Sequence, residues 1–390
     1  MTSEGLFSGV FSRGDAAAAV SDDAWLQAML DFEVALARAC ARAELISGES
    51  AAAIERAATE ARFDPVALGR STTATGNPVV GLLRAMRTVL DDDAGDALHF
   101  GATSQDVIDS AAMLVTKRAL EPILDDAAMA AACAAALAER HRETHMIGRT
   151  LLQQALPTTF GVKAAGWLSG IDLARRRLAA TADECLAVQF GGAVGTLEKL
   201  GDRGPSLLAD LALELELAEP PVPWHVERVR IVALADASAT LGGAFGKVGR
   251  DVSLLAQNEI GELREGGETT GESSTMAHKR NPVAAVAIVA CAQRLPGLVA
   301  TMHAAMPGEL ERGAGVWQSE WGALSDLLRL AGSAASWGRE LLQHLEVDRE
   351  RMSANLAEAR ARIGASDAAA RTGSAGAFID RALTAHRGEA

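Results

Sequence analysis

Five long stretches of this chain read as helix, and together they exclude most folds. They run from Asp106 to about Arg142, from Phe160 to about Phe190, from Val226 to Leu263, from Val283 to about Ala305, and onward from a start near Glu311. Val107, Ile108, Ala111, Leu114 and Val115 carry the apolar spacing in the first, and Trp167, Ile171 and Leu173 are among the apolar residues of the second. Pro122 should kink or restart the first stretch. Hydrophobic residues are 49% of the 390, yet aromatics are 4% and tyrosine is absent. Alanine and leucine dominate instead, which favours helices packed closely through small side chains. Gly242, Gly243 and Gly246 read as such close contacts. No strand pattern and no internal repeat stands out. The expected fold is all-α, with a central bundle of five long helices over residues 106–346.

Residues 1–105 read as a small N-terminal helical domain. Within it Ser21-Asp22-Asp23 starts a helix with Trp25, Met29, Phe32 and Leu36 on one face, and a second helix is expected around Ser50 to Ala61. Thr72 to Pro78 breaks helix and reads as a loop. Residues 347–390 read as a short helical remnant, with one helix near Phe378 to His386.

The formal net charge of -14 argues against a nucleic-acid or anionic-membrane partner. An anionic substrate would need a local positive field, which the Lys279-Arg280 pair could supply. Cys40, Cys133, Cys185 and Cys291 lack metal or disulfide spacing and read as buried small hydrophobes in a reducing compartment. The N-terminus has no signal-peptide pattern, and no run of about 18 uncharged apolar residues spans a membrane. A cytoplasmic protein is expected. His141 and His145 stand four apart, but with Arg140, Arg142 and Glu143 around them and no third ligand they read as a solvated helix end. Gln189 to Gly195 is glycine-rich without being a dinucleotide fingerprint.

Between the third and fourth helical stretches lies GESSTMAHKRNP, Gly271 to Pro282, preceded by Gly266-Gly267-Glu268-Thr269-Thr270. It has no apolar period. A polar, basic loop between two rigid rods, mobile over Gly261 to Thr275, is how a lid delivers catalytic groups. Earlier, small and hydroxyl residues from His99 to Gln105 precede the first long helix. Thr103 or Ser104 could cap it, and its free N–H groups could hold an anion.

The Gly271 to Pro282 stretch resembles the signature loop of the fumarase/aspartase superfamily, Gly-Ser-Ser-x-Met-Pro-x-Lys-x-Asn-Pro. Ser273, Ser274, Met276, Lys279, Asn281 and Pro282 match; Glu272 and Ala277 stand where the pattern has glycine and proline. A second superfamily segment, Gly-Arg-Thr-His-x-Gln-x-Ala-x-Pro, is similar to the run from Gly148. Gly148, Arg149, Thr150, Gln153, Ala155 and Pro157 match, with Leu151 in place of its histidine and Gln154 where adenylosuccinate lyases have another.

The resemblance implies a proton transfer next to a carboxylate through an aci-carboxylate, with no cofactor and no metal. By matching position Ser273 is the base, Lys279 the local charge and Asn281 a donor to substrate. Thr103, Ser104, Arg149, Thr150 and Gln153 are clamps, with His278 and Arg312 as neighbours. The superfamily builds each site from three chains of a homotetramer. The strings HFGATSQDVIDSAAM, GRTLLQQALPTTFG, QFGGAVGTL, VPWH and ERGAGVWQSEW are further similar to the branch that closes a lactone on 3-carboxy-cis,cis-muconate, over roughly Gly5 to Val347. That branch implies a small tricarboxylate substrate from protocatechuate breakdown. Trp317 and Trp321 stand where adenylosuccinate lyases grip a nucleotide phosphate, and the missing histidines suit a reaction without a poor leaving group. Two alternatives stay open: another superfamily lyase that releases fumarate, and an inactive helical scaffold.

Overall fold

Serine and aspartate caps set the helices at the amino end of the chain. In α1 (Asp22–Arg42), Ser21 Oγ accepts from Ala24 N at 3.2 Å, and Asp22 and Asp23 sit at the positive end of the helix dipole. Met29, Phe32 and Leu36 are buried as their spacing requires. α2 (Gly48–Glu60) follows a Ser47 cap. The structure, a computed structural model, describes residues 5–267, 271–272, 275–276, 279–363 and 371–388.

Thr72 to Thr75 are helical, against the expectation of a loop. They close α3 (Pro65–Thr75), which Asp64 caps and Pro65 opens, where a missing N–H costs little. Thr72 and Thr75 satisfy their hydroxyls on the Gly69 and Ser71 carbonyls, so the threonines fit the helix. The break comes at Gly76, with φ +74, before α4 (Val79–Arg87).

Among the described residues five helices of 23 to 37 residues form the bundle: α5 (Ser104–Arg140), α6 (Phe160–Cys185), α8 (Val229–Leu255), α9 (Val283–Ala305) and α10 (Val316–Gln343). α7 (Gly204–Leu215) lies beside α1. Pro122 does not divide α5, which runs through it. Gly242 and Gly246 bring α8 against α9: a Cβ on the first would run into Leu295, and one on the second would stand 2.8 Å from Ala292 Cβ. Gly243 faces open space and makes no such contact.

Successive helices reverse direction, as contacts at their ends show. Gln189 N, past α6, donates to Ser110 Oγ near the start of α5 at 2.9 Å, while Phe160 N at the start of α6 donates to Thr144 O beyond the end of α5 at 2.8 Å. Arg228, just before α8, meets Asp109, and Gly308, just after α9, lies against Val226. Trp317 at the start of α10 also donates to Asp109, and His344 beyond its end accepts from Gly266 N. The bundle therefore has one end around the start of α5 and another beyond its finish.

Among the described residues four short strands, unexpected from the sequence, lie at the second end. β1 (His145–Thr150) and β2 (Gln153–Thr159) form an antiparallel hairpin, and β3 (Leu263–Glu265) pairs with β4 (Leu345–Val347). The third helical stretch thus stops at Leu255, and residues 263–265, inside the segment expected to be mobile, are a paired strand. Three residues are too few for an alternating pattern to be read, and their partner lies about eighty positions on. Past β4, α11 (Arg349–Ile363) covers β1 by closing Leu356 and Ala359 over Ile147. α12 (Ala375–Arg387) docks on α6, with His386 Nδ1 2.7 Å from Asp172 Oδ2. His141 is not a solvated helix end: it is 4% exposed, packs edge-on to Phe160, and has its Nδ1 3.1 Å from Thr144 Oγ1.

Candidate active site

Thr103 is the N-cap of α5, and its backbone N–H donates to Asp106 Oδ2 at 3.0 Å. The helix start thus carries its own carboxylate. Asp106 is buried and richly held: Oδ1 lies 2.7 Å from His225 Nε2 and accepts from Gly191 N, while Oδ2 accepts from Gly192 N. The Gln189 to Gly195 turn therefore folds around an aspartate, and a Cβ on Gly191 would stand 2.7 Å from Pro223 Cβ and 2.8 Å from His225 Cε1. One helical turn on, buried Asp109 takes both forks of Arg228, at 2.9 and 3.1 Å, and Arg228 also donates to buried Glu320. Burial alone would lower the Arg228 pKa; the charges and hydrogen bonds of Asp109 and Glu320 reverse that and raise it.

Trp317 closes this network, its Nε1 donating to Asp109 Oδ1 at 2.9 Å, and Trp321 packs edge-on at 4.9 Å between centroids. Indoles offer no charge for a phosphate, and here the first one completes a buried ionic cluster. Arg312 reaches over the same end, donating to Gly192 O at 2.7 Å and Gln105 Oε1 at 3.3 Å. Burial lowers its pKa against the pull of Asp106 and Asp109. Thr103 and Ser104 lie half-buried beside it.

At the other end Arg149 forms a bidentate pair with buried Glu262, at 2.8 and 2.9 Å, and Asn355 Nδ2 donates to the same carboxylate at 2.8 Å. The Arg149 fork is thus engaged inside the chain, and it ties the hairpin to the root of the loop. Thr150 and Gln153 are the last pair of the hairpin, both exposed. Between them Leu151 and Leu152 form a two-residue turn at φ +50 and +64. Positive φ at both positions belongs to the type I′ turn, where glycine and asparagine are usual; for leucine the left-handed region costs roughly 1–2 kcal/mol each. Among the described residues they stand largely in solvent: Leu151 is 96% exposed and Leu152 72%.

Glu265, on β3, caps α9 by accepting from Ala284 N at 3.0 Å and Ala285 N at 2.8 Å; its burial raises its pKa. Gly271 has φ +58 and accepts at 2.8 Å from Asn281 N, and a Cβ there would collide with Asn281 O. Glu272 and Arg280 face each other as an isolated antiparallel bridge, so the departure at Glu272 is met by backbone pairing across the neck of the loop. Lys279 is exposed and Asn281 half-buried at that neck. Ser273 and His278 lie outside the described residues.

These candidates divide into two groups. Thr103, Ser104 and Arg312 gather at one end of α5; Arg149, Thr150, Gln153, Lys279 and Asn281 gather at the other. α5 has 37 residues, which at 1.5 Å each is about 55 Å. No small molecule touches both groups in a single chain. Sequence reasoning missed Asp106, Asp109, Glu262 and Lys163, whose pKa burial lowers beside Asp251, Arg149 and Glu262. The two aspartates did leave a signal, as charged residues three apart inside an apolar helical run.

An all-helical bundle with a polar loop at its second end, and candidate carboxylate clamps at both ends, defines an enzyme class rather than a binding module. Residues 13–297 match the lyase family. The 3-carboxy-cis,cis-muconate cycloisomerase of Pseudomonas aeruginosa is 45% identical over 355 residues, 90% of this chain and 77% of that one. The nitrosuccinate lyase of Streptomyces davaonensis is 45% identical over 364 residues, again 90% and 77%. The crystal structure of 3-carboxy-cis,cis-muconate lactonizing enzyme from Pseudomonas putida superposes with a TM-score of 0.91 at 35% identity, over 98% of this chain and 99% of that one. The chain belongs to this lyase family, within the fumarase/aspartase superfamily.

Proposed function

We propose that the protein is a cycloisomerase that closes 3-carboxy-cis,cis-muconate to a carboxymuconolactone, in the cytoplasm, in the protocatechuate branch of the β-ketoadipate pathway. In this reading a substrate carboxylate oxygen adds to an alkene carbon. The π electrons move to the neighbouring carbon and its carboxylate as an aci-carboxylate, and a proton is then delivered to that carbon. Ser273 carries the proton, and Lys279 and Asn281 stabilise the developing charge. Thr103, Ser104, Arg312, Thr150 and Gln153 hold the remaining carboxylates, with His278 beside them; Arg149 acts through its Glu262 pair by holding the hairpin.

The observation that carries the reading is the hairpin: between Thr150 and Gln153 it presents Leu151 and Leu152, and Gln154 next, with no acid for a leaving group. An internal carboxylate nucleophile needs none, since tethering supplies effective molarities of about 10⁵ M or more. The roughly 55 Å between the two groups supports a site shared among three chains of a homotetramer. So does α9, whose most apolar stretch is only 33% buried in one chain. The division into residues 1–105, 106–346 and 347–390 belongs to the same proposal.

The nitrosuccinate lyase likeness favours one second reading, elimination from a nitro-substituted succinate. Nitrite leaves as a stable anion and would also need no acid. One assay separates them: purified protein should remove the ultraviolet absorbance of the conjugated muconate and release no fumarate from nitrosuccinate or a succinyl amine. Ser273→Ala should lower kcat by orders of magnitude with helix content unchanged. Fumarate release with the muconate untouched would overturn the assignment.

A further inference from the structure

Among the described residues, the hairpin tip sets two adjacent leucines in a strained conformation without burying either. Leu151 and Leu152 hold left-handed backbone, at φ +50 and +64, where a β-carbon is strained. They are 96% and 72% exposed, so neither gains burial in return, and Leu156 on the same hairpin is 72% exposed. Asparagine and glycine would make the same turn without strain and without apolar surface. The turn is nonetheless rigidly placed. Its flanks pair Thr150 with Gln153 and Arg149 with Gln154, and the Arg149–Glu262 pair fastens the strand to the root of the loop. A rigid mount carrying an unfavourable tip indicates that the tip's contacts form when the site is occupied.

We propose that Leu151 and Leu152 are specificity residues: they form an apolar wall between the polar clamps Thr150 and Gln153, and bear on the hydrocarbon part of the substrate. This rests on the placement of the hairpin in the active site given above. Polar groups on either side take carboxylates, and the leucines take the carbon skeleton between them. Such a wall selects a polycarboxylate whose unsaturated carbons present an apolar edge between its carboxylates. It disfavours substrates that carry a bulky polar substituent where the wall meets the hydrocarbon, because that substituent would lose its hydration without gaining a hydrogen bond.

The test is the double variant Leu151→Asn with Leu152→Gly, which suits the turn, compared with Leu151→Met with Leu152→Met, which keeps apolar bulk. Each is assayed on 3-carboxy-cis,cis-muconate and on nitrosuccinate, with the melting temperature and the light-scattering mass measured alongside. The Asn-Gly variant should keep or raise the melting temperature and keep its mass, while KM rises about tenfold or more and kcat changes little. The Met-Met variant should hold KM within about threefold of wild type, on the same logic of a retained hydrophobic contact. An unchanged KM in the Asn-Gly variant overturns the proposal. So does loss of the assembled mass together with activity, which would assign the leucines to contact between copies. Wild-type protein inert on the muconate but active on nitrosuccinate would sink the cycloisomerase reading alone, and the hairpin would then be judged by KM for nitrosuccinate.

Discussion

At its amino end α5 buries two carboxylates, Asp106 and Asp109, under hydrogen bonds from three other segments; past its carboxy end the chain holds two leucines in solvent on a strained turn. The cluster around these two carboxylates is chemically complete within one chain. Its charges are paired, its aspartates are saturated, and Trp317 seals it. Such a network defines one packing and tolerates little change. The second end is incomplete. Lys279 is exposed, Gln153 is exposed, and the leucine tip stands largely in solvent. A finished polar cluster indicates architecture, whereas an unfinished and strained one indicates binding.

The largest effect that would break this contrast is at the complete end. Arg228→Met leaves Asp109 and Glu320 buried without their counter-charge and should cost roughly 3–5 kcal/mol of stability. Urea unfolding measures it, and a loss below about 1 kcal/mol would mean that the cluster is no more than a surface pair. At the incomplete end the pattern should invert. Lys279→Met should leave the urea midpoint unchanged while kcat/KM drops by about 10²–10³, the scale of a lost transition-state donor. Equal turnover by the variant would remove Lys279 from the site.

Glu262→Gln sharpens the comparison, because it touches a buried ion pair that supports the hairpin. Arg149 is partly exposed and can rehydrate, so the stability loss should be about 1–3 kcal/mol. Turnover should fall further than the folded fraction does, since the tip is no longer held. Proportional losses in the two measurements would show that the pair only stabilises.

The smallest effects are in pH, and the two ends should respond with opposite sign. Burial would lower the His99 pKa, but the Glu33 carboxylate, 2.6 Å away, raises it overall. Its contribution is complete below about pH 6.5 and is lost as pH rises through the raised value. Burial, with Arg349 and Arg140 adding to it, drives the His141 pKa down to about 4. The unfolded chain then takes a proton that the folded chain refuses, so stability falls as pH drops from about 6.5 toward that value. His99→Gln should flatten the alkaline side of the stability profile and His141→Gln the acid side. A single shared flank would contradict the separation.

Much of the bundle was readable from residue patterns, and the reason is local. Helix starts at Ser21 and Thr103 rest on hydroxyl caps next to apolar periods, and α9 was bounded by Pro282 and a run of apolar residues. Local rules failed where a distant partner decides. β3 exists because β4 lies beside it; the helix through Thr72 to Thr75 is instead a local effect, since the Thr72 and Thr75 hydroxyls find carbonyls one turn back. His141 looked solvated among charged neighbours, yet the helix ends at Arg140 and the chain turns it inward against Phe160.

The sequence by itself determined the all-helical class, the motif residues and the missing histidines, because spacing and side-chain chemistry are properties of short stretches. Only the tertiary structure decided which of those residues can meet. Arg149 resembles a free cation until Glu262, more than a hundred positions away, occupies both its forks. The distance between Thr103 and Gln153 is likewise invisible in a string of letters. A 37-residue helix lies between them, and a rigid rod separates its ends by its full length.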